Sequence, residues 1–185
     1  MRLIAASLSA ALAAGALSVP ASAQGWTLDR EASAVSFQIT IFNAPAEARF
    51  TDFDADITLD PDDLSGARID ASVRASSGEM DTSDYQQALL SSDGLAPRAH
   101  PELRFVSDDI RATDEGYEAH GVLSVRDVEQ PAVLAFTLEI DGARAVARGG
   151  FEVSRSDFGI SASSWGANNV GETVSVTLHI EADAG

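Results

Sequence analysis

The sequence predicts an all-β protein of about eight antiparallel strands, arranged as an up-and-down barrel or as a sandwich. Three observations predict it. Apolar and polar residues alternate with period two through most of the chain, as strands with one buried face require. Short polar turns separate consecutive runs, so sequence neighbours should pair as antiparallel neighbours. Finally, apolar residues stand at odd positions up to Val153 and at even positions from Phe158. That change of phase needs a bulge or bend, which Gly159 tolerates. A bent strand followed by one more alternating strand suggests a curved sheet closing on itself.

The strands read off in order. Val35, Phe37, Ile39 and Ile41 alternate with Ser36, Gln38 and Thr40. Phe53 to Leu59 and Ala67 to Val73 follow, separated by Asp60-Pro61-Asp62-Asp63. Leu103 to Ile110 and Tyr117 to Val125 flank the turn Asp114-Glu115-Gly116. Leu134 to Ile140 and Ala145 to Val153 flank Asp141-Gly142, and Val174 to Ile180 ends the series. One segment breaks the pattern, Ser76 to Pro101. Ser83 and Gln86 have capping-box spacing, and Asp84 to Leu90 can form two helical turns with Tyr85, Ala88 and Leu89 on one side. This predicts a short helix within Asp81 to Ser92, ended by Gly94 and Pro97, serving as a lid or as a cap on one barrel end.

The N-terminus reads as a secretory signal peptide over residues 1–23. Arg2 gives a positive start, Leu3 to Val19 is uncharged and apolar, and Ala21-Ser22-Ala23 is a cleavage motif. The run is short for a membrane span. No Cys follows it to carry a lipid anchor, so no stable membrane anchor is expected. Residues 24–185 then form one domain, long enough for a core. The expected location is the periplasm, with cleavage near Ala23-Gln24. The chain has no Cys, which removes disulfide, thiolate-metal and Cys-nucleophile chemistry. Its 12 basic and 29 acidic residues give a formal net charge of −17. Such a charge repels nucleic acid and anionic membrane surfaces.

Catalytic and metal motifs are weak. His100, His120 and His179 lack metal-ligand spacing, and the last two stand at polar positions of strands, facing solvent. Asp52, Asp54 and Asp56 resemble the start of a calcium loop, but the sixth position is Ile57 rather than Gly. A solvated strand face is the better reading, and no metal is expected. There is no Gly-x-Ser-x-Gly elbow, and Ser154, Ser156, Ser161, Ser163 and Ser164 have no nearby His to act as base. An enzyme is therefore the weaker class. The apolar face contains several small members: Ala55, Ala71, Ala119, Gly121, Ala145, Ala147 and Gly149. Facing inward, they leave space for a slender ligand, or they interlock with large neighbours in a filled core.

Motifs in order along the chain resemble the YceI-like family, exported polyisoprenoid-binding proteins with a lipocalin-like barrel. They are Trp26-Thr27-Leu28-Asp29, Ser33 to Phe37, Phe50 to Ile57, Asp60-Pro61-Asp62-Asp63-Leu64, Asp81-Thr82, Pro101 to Ser107, Gly121-Val122-Leu123, Arg155 to Ile160 and Val170 to Val174. The chain departs from the family pattern at Ala48 and at Arg126-Asp127-Val128, where Gly is usual. It departs again at Ser92-Asp93-Gly94-Leu95, where aromatic residues are common.

The resemblance implies a closed antiparallel barrel whose lumen holds an isoprenoid or other long-chain lipid, such as a quinone tail or polyprenyl chain. No other cofactor is implied, and a homodimer is left open. The alternative is a ligand-free stress-related or interaction module with a filled barrel. The expected lining residues are the large members of the apolar face: Phe37, Ile39, Phe53, Ile57, Val73, Leu103, Phe105, Leu123, Phe136, Leu138, Phe151 and Phe158. Tyr85 and Leu89 are expected to close one end, with Trp165 at the mouth. Arg155 is the nearest cation for a polar head, unless it pairs with Asp157.

Overall fold

The computed structural model describes residues 25–185; the expected signal peptide lies outside the described residues. The strands are β1 (Gly25–Leu28), β2 (Ala34–Ile41), β3 (Ala44–Phe50), β4 (Phe53–Asp60), β5 (Asp63–Arg74), β6 (Gly78–Met80), β7 (Glu102–Thr113), β8 (Gly116–Val125), β9 (Val128–Asp141), β10 (Arg144–Ser154) and β11 (Val170–Ala184). One helix, α1 (Ser83–Leu89), stands between β6 and β7.

The strands form one antiparallel sheet that closes as an eight-membered ring, β1-β4-β5-β7-β8-β9-β10-β11 and back to β1. Closure is made by β1 and β11, with Trp26 opposite Ala184 and Leu28 opposite Ala182. This decides for the barrel over the sandwich. β2, β3 and β6 extend the wall from β11 along one side. β11 takes β2 on its N-terminal half and β1 on its C-terminal end.

Of the three strands that the alternation did not give, β1, β3 and β6, the last two share an origin. β3 runs into β4, and β5 into β6, with a break in between. In β3 the buried residues are Ala46, Ala48 and Phe50; in β4 the phase flips to Phe53 and Leu59. The flip falls at Thr51-Asp52, beside the 3-10 turn Ala75–Ser77. There the Thr51 N–H donates to the Ser77 carbonyl at 3.3 Å and the Arg74 N–H to the Asp52 carbonyl at 2.9 Å. Adjacent strands thus bend at one level, which curves the wall.

A second phase change was expected to be a bend within one strand. Instead β10 ends at Ser154, and a 3-10 turn over Arg155–Phe158 follows, capped by Gly159 at φ 68°. Arg155 and Phe158 are both buried by that turn. The helix also departs from its expected start. Thr82, not Ser83, is the N-cap, its Oγ1 accepting from the Tyr85 N–H at 3.2 Å. Tyr85 therefore occupies the position that a capping box gives to Glu or Gln. Gly94 lies against the helix end, where a Cβ would fall 2.3 Å from the Leu89 carbonyl oxygen.

Two hairpin tips carry paired residues at positive φ, Phe42-Asn43 and Arg126-Asp127. Such turns match the twist of the flanking strands but favour Gly. At the second tip the side chains supply compensation. Arg126 Nη1 donates to the Gly159 carbonyl at 2.8 Å, and Asp127 sits 2.8 Å from His100 Nδ1. A Gly in place of Asp127 could not make the second contact.

Candidate functional site: an apolar lumen

The inward faces of the strands enclose a cavity of about 320 Å³. That volume is within the range of small-molecule sites. Every lining residue expected from the sequence borders it, from Phe37 on β2 to Trp165 in the loop before β11. Sequence reasoning passed over Trp26, Val35, Phe50, Leu59, Ile69 and Leu134, and the whole inward row of β11 from Val170 to Ala182. The alternation of β11 was visible, and that row was the available signal.

The small inward residues divide into two groups. Ala55, Ala71, Ala145, Ala147 and Gly149 line the cavity, whereas Ala119 and Gly121 do not. A Cβ on Gly121 would meet the Phe105 ring at 2.8 Å, and one on Gly149 would meet Phe136 Cβ at 2.6 Å. At these two glycines the neighbouring strand and its Phe leave no room for a larger side chain, the interlocking alternative of the sequence reading. Phe105 packs in turn on Phe151 at 6.2 Å between ring centroids, and Phe136 on Tyr117 at 5.4 Å.

One end of the cavity is covered by loops and α1. Trp165 stands between Tyr85 of α1, at 5.0 Å, and Phe42 of the β2–β3 tip, at 5.7 Å. Ser163 Oγ donates to Asp93 Oδ2 at 2.7 Å, tying the loop before β11 to the segment after α1. His100 and Asp127 tie that same segment to the β8–β9 tip. At the opposite end stands Trp26, whose Nε1–H donates to the Leu59 carbonyl at 2.8 Å.

Arg155 is not the free cation expected for a polar head. It is 7% exposed. Its Nε donates to the Gly171 carbonyl at 2.9 Å and its Nη1 to the Ile160 carbonyl at 2.7 Å. Its charge faces Glu172 at 3.4 Å rather than Asp157. The guanidinium holds the 3-10 turn to the start of β11. Glu172 is fixed by the Ser154 and Ser156 hydroxyls and by the Ser156 N–H, which with Arg155 hold its carboxyl down to about 2. The second lining cation, Arg104, is paired with Asp70 through two hydrogen bonds of 2.8 and 2.7 Å.

The histidines expected to face solvent on their strands are half-exposed. Each pairs with a Glu two positions away, His120 with Glu118 at 3.1 Å and His179 with Glu181 at 2.9 Å. Asp52 and Asp54 pair with Arg74 and Arg30 on the outer face.

Closure, eight strands and a hydrocarbon interior define a lipocalin-like class of small barrel. The YceI-like domain matches residues 26–182, and the chain belongs to that family. Among curated relatives, a UPF0312 protein of Photorhabdus laumondii is 26% identical over 107 residues, 57% of this chain and 56% of that protein. A UPF0312 protein of Serratia proteamaculans is 27% identical over 118 residues, 60% of this chain and 62% of that protein.

Among solved structures, BcnA of Burkholderia cenocepacia superposes with a TM-score of 0.78 at 23% identity, covering 83% of this chain and 98% of that one. A polyisoprenoid binding domain from Saccharophagus degradans gives 0.66 at 12% identity, covering 88% and 99%. The YceI protein of Campylobacter jejuni gives 0.66 at 18%, covering 74% and 83%. At these identities the likeness is one of fold. Among the described residues no helix is long and apolar enough to cross a membrane.

Proposed function

We propose that this protein binds a long isoprenoid lipid, with the tail in the lumen and the head group at the end covered by α1, and carries or scavenges it after export. The observation that carries the reading is the apolar cavity running between Tyr85 and Trp165 at one end and Trp26 at the other. Each CH₂ moved from water into such an interior gains about 0.8 kcal/mol, so a tail binds firmly without polar contacts. A lining of hydrocarbon shields a guest rather than activating it, which favours a binding protein over an enzyme. The domain borders, residues 24–185 after a cleaved leader, and the periplasmic location belong to the same proposal. They rest on Arg2, the apolar run and Ala21-Ser22-Ala23.

The mouth favours a neutral head, as on a quinone, over a phosphate. Asp93 lines it, Asp84 stands on α1, and both cations of the lining are already engaged with Asp70 and with Glu172 and backbone carbonyls. An anionic head entering the lumen there would meet Asp93, and both lining cations already face carboxylates.

Organic extraction and native mass spectrometry of protein purified from its own cells test the proposal. A co-purifying isoprenoid is expected. Protein that is clean and also fails to take up added ubiquinone would overturn it.

A further inference from the structure

We infer that Trp26 is the floor of the lumen and sets the longest isoprenoid tail that the barrel accommodates, an inference that rests on the lipid-binding reading above. Trp26 sits where the barrel closes, opposite Ile57 of β4 and Ala184 of β11. It is 7% exposed and borders the cavity together with Leu59, Ala145 and Ala182. Its indole cannot swing freely. A buried N–H needs an acceptor, and Nε1 has one in the Leu59 carbonyl at 2.8 Å, on the strand paired with β1.

Ala67, Ile110 and Ala119 belong to the buried core and none of them borders the cavity. Ala119 is 0% exposed. The inward faces thus hold filled positions such as these beside the hollow section that the indole bounds.

The hollow section has a definite length. Along β10 the lining runs from Ala145, paired with Ala182, to Val153, paired with Val174. At the usual strand rise this span is about 27 Å along the chain. With the strand tilt of a closed barrel it becomes roughly 20 Å along the axis. A tail shorter than this leaves hollow lumen behind. A longer one must leave its excess at the mouth, among Asp93, Asp84 and water. Affinity should therefore climb with tail length and then stop climbing. A second role for Trp26, as part of the seam that holds the barrel closed, would affect folding but would set no such limit.

The test is a length series. Ubiquinones of graded tail length compete for the full protein, and native mass spectrometry reads the bound fraction of each. For the wild type, affinity should rise at least about tenfold per isoprene unit up to a limit and be flat beyond it. Trp26→Leu should move the limit to longer tails. Ala145→Leu, which adds bulk at the same end of the cavity from β10, should move it to shorter ones. Circular dichroism and Tm report whether each variant folds; should Trp26→Leu fail to fold, Ala145→Leu decides alone. A limit that stays in place in folded, lipid-binding variants would overturn the floor assignment. Absence of binding at every tail length in the wild type would instead overturn the lipid-binding reading, and the floor with it.

Discussion

The two ends of the barrel are closed by different physics. At the Trp26 end, closure is made by the sheet itself. β1 and β11 pair in register, the Asp29 N–H donates to the Glu181 carbonyl at 2.9 Å, and the Ala184 N–H to the Ala143 carbonyl at 2.8 Å. Arg144 then bonds Asp29 at 2.8 Å, Glu181 at 2.6 Å and Asp183 at 3.1 Å. Those carboxylates push the guanidinium pKa upward, and Arg144 in turn keeps Asp29 low. At the α1 end the covering contacts join side chains of separate loops: Trp165 with Tyr85 and Phe42, Ser163 with Asp93, and His100 with Asp127. Opening the first end means breaking strand pairs, a global event. Opening the second means parting side chains, a local one. On the lipid-binding reading, a tail enters from the α1 side.

The largest expected effect breaks the difference between filled inward positions and the hollow section of this lumen. Ala119→Leu, at a fully buried position that does not border the cavity, should cost roughly 1–3 kcal/mol of stability by overpacking. Ala147→Leu, in the hollow section, should leave denaturant midpoints nearly unchanged while lowering ubiquinone uptake at least about tenfold. Equal destabilisation by both would mean that the lumen is a packed core.

A smaller effect concerns acid. Glu172 has a folded pKa of about 2, below its ordinary 4.5, so it stabilises the junction of β10 and β11 fully above the higher value. That contribution drains away as pH falls from 4.5 towards 2, because the unfolded chain takes up the proton first. Glu172→Gln should therefore lower Tm at neutral pH and flatten the Tm-against-pH curve in that window. An unchanged slope would remove Glu172 from the acid response.

The smallest effect on stability and the sharpest on kinetics belongs to Trp165→Ala. Association and dissociation of ubiquinone, followed by stopped flow, should both quicken severalfold while Kd changes less. A pure loss of affinity with an unchanged association rate would make Trp165 a wall residue rather than part of the cover.

The inward faces of the long strands were legible in the sequence because alternation with period two is a direct image of a one-sided wall. The cavity lining was legible for the same reason, Phe37, Phe53 and Phe151 being inward by phase alone. What escaped was set by tertiary contact. β3 was hidden by Pro45 and by alanines that weaken its apolar signal. β1 has only four residues and depends on β4 and β11 for its partners. Whether the small inward residues leave space or interlock stayed open in the sequence, because it depends on how close the paired strand and its side chains come, as at Gly121 and Gly149. Arg155 looked like a ligand for a head group because sequence shows a charge but not the carbonyls of Ile160 and Gly171 folded around it.

The chain's two tryptophans stand at opposite ends of the lumen, which makes the orientation of a bound lipid directly measurable. Ubiquinone is titrated into Trp26→Phe, which retains only Trp165, and into Trp165→Phe, which retains only Trp26. The quinone ring quenches the indole that it lies beside. A head at the α1 end predicts strong, saturable quenching of Trp165 and little quenching of Trp26. Quenching confined to Trp26 would reverse the orientation, and no saturable quenching in either variant would contradict a lipid-binding lumen.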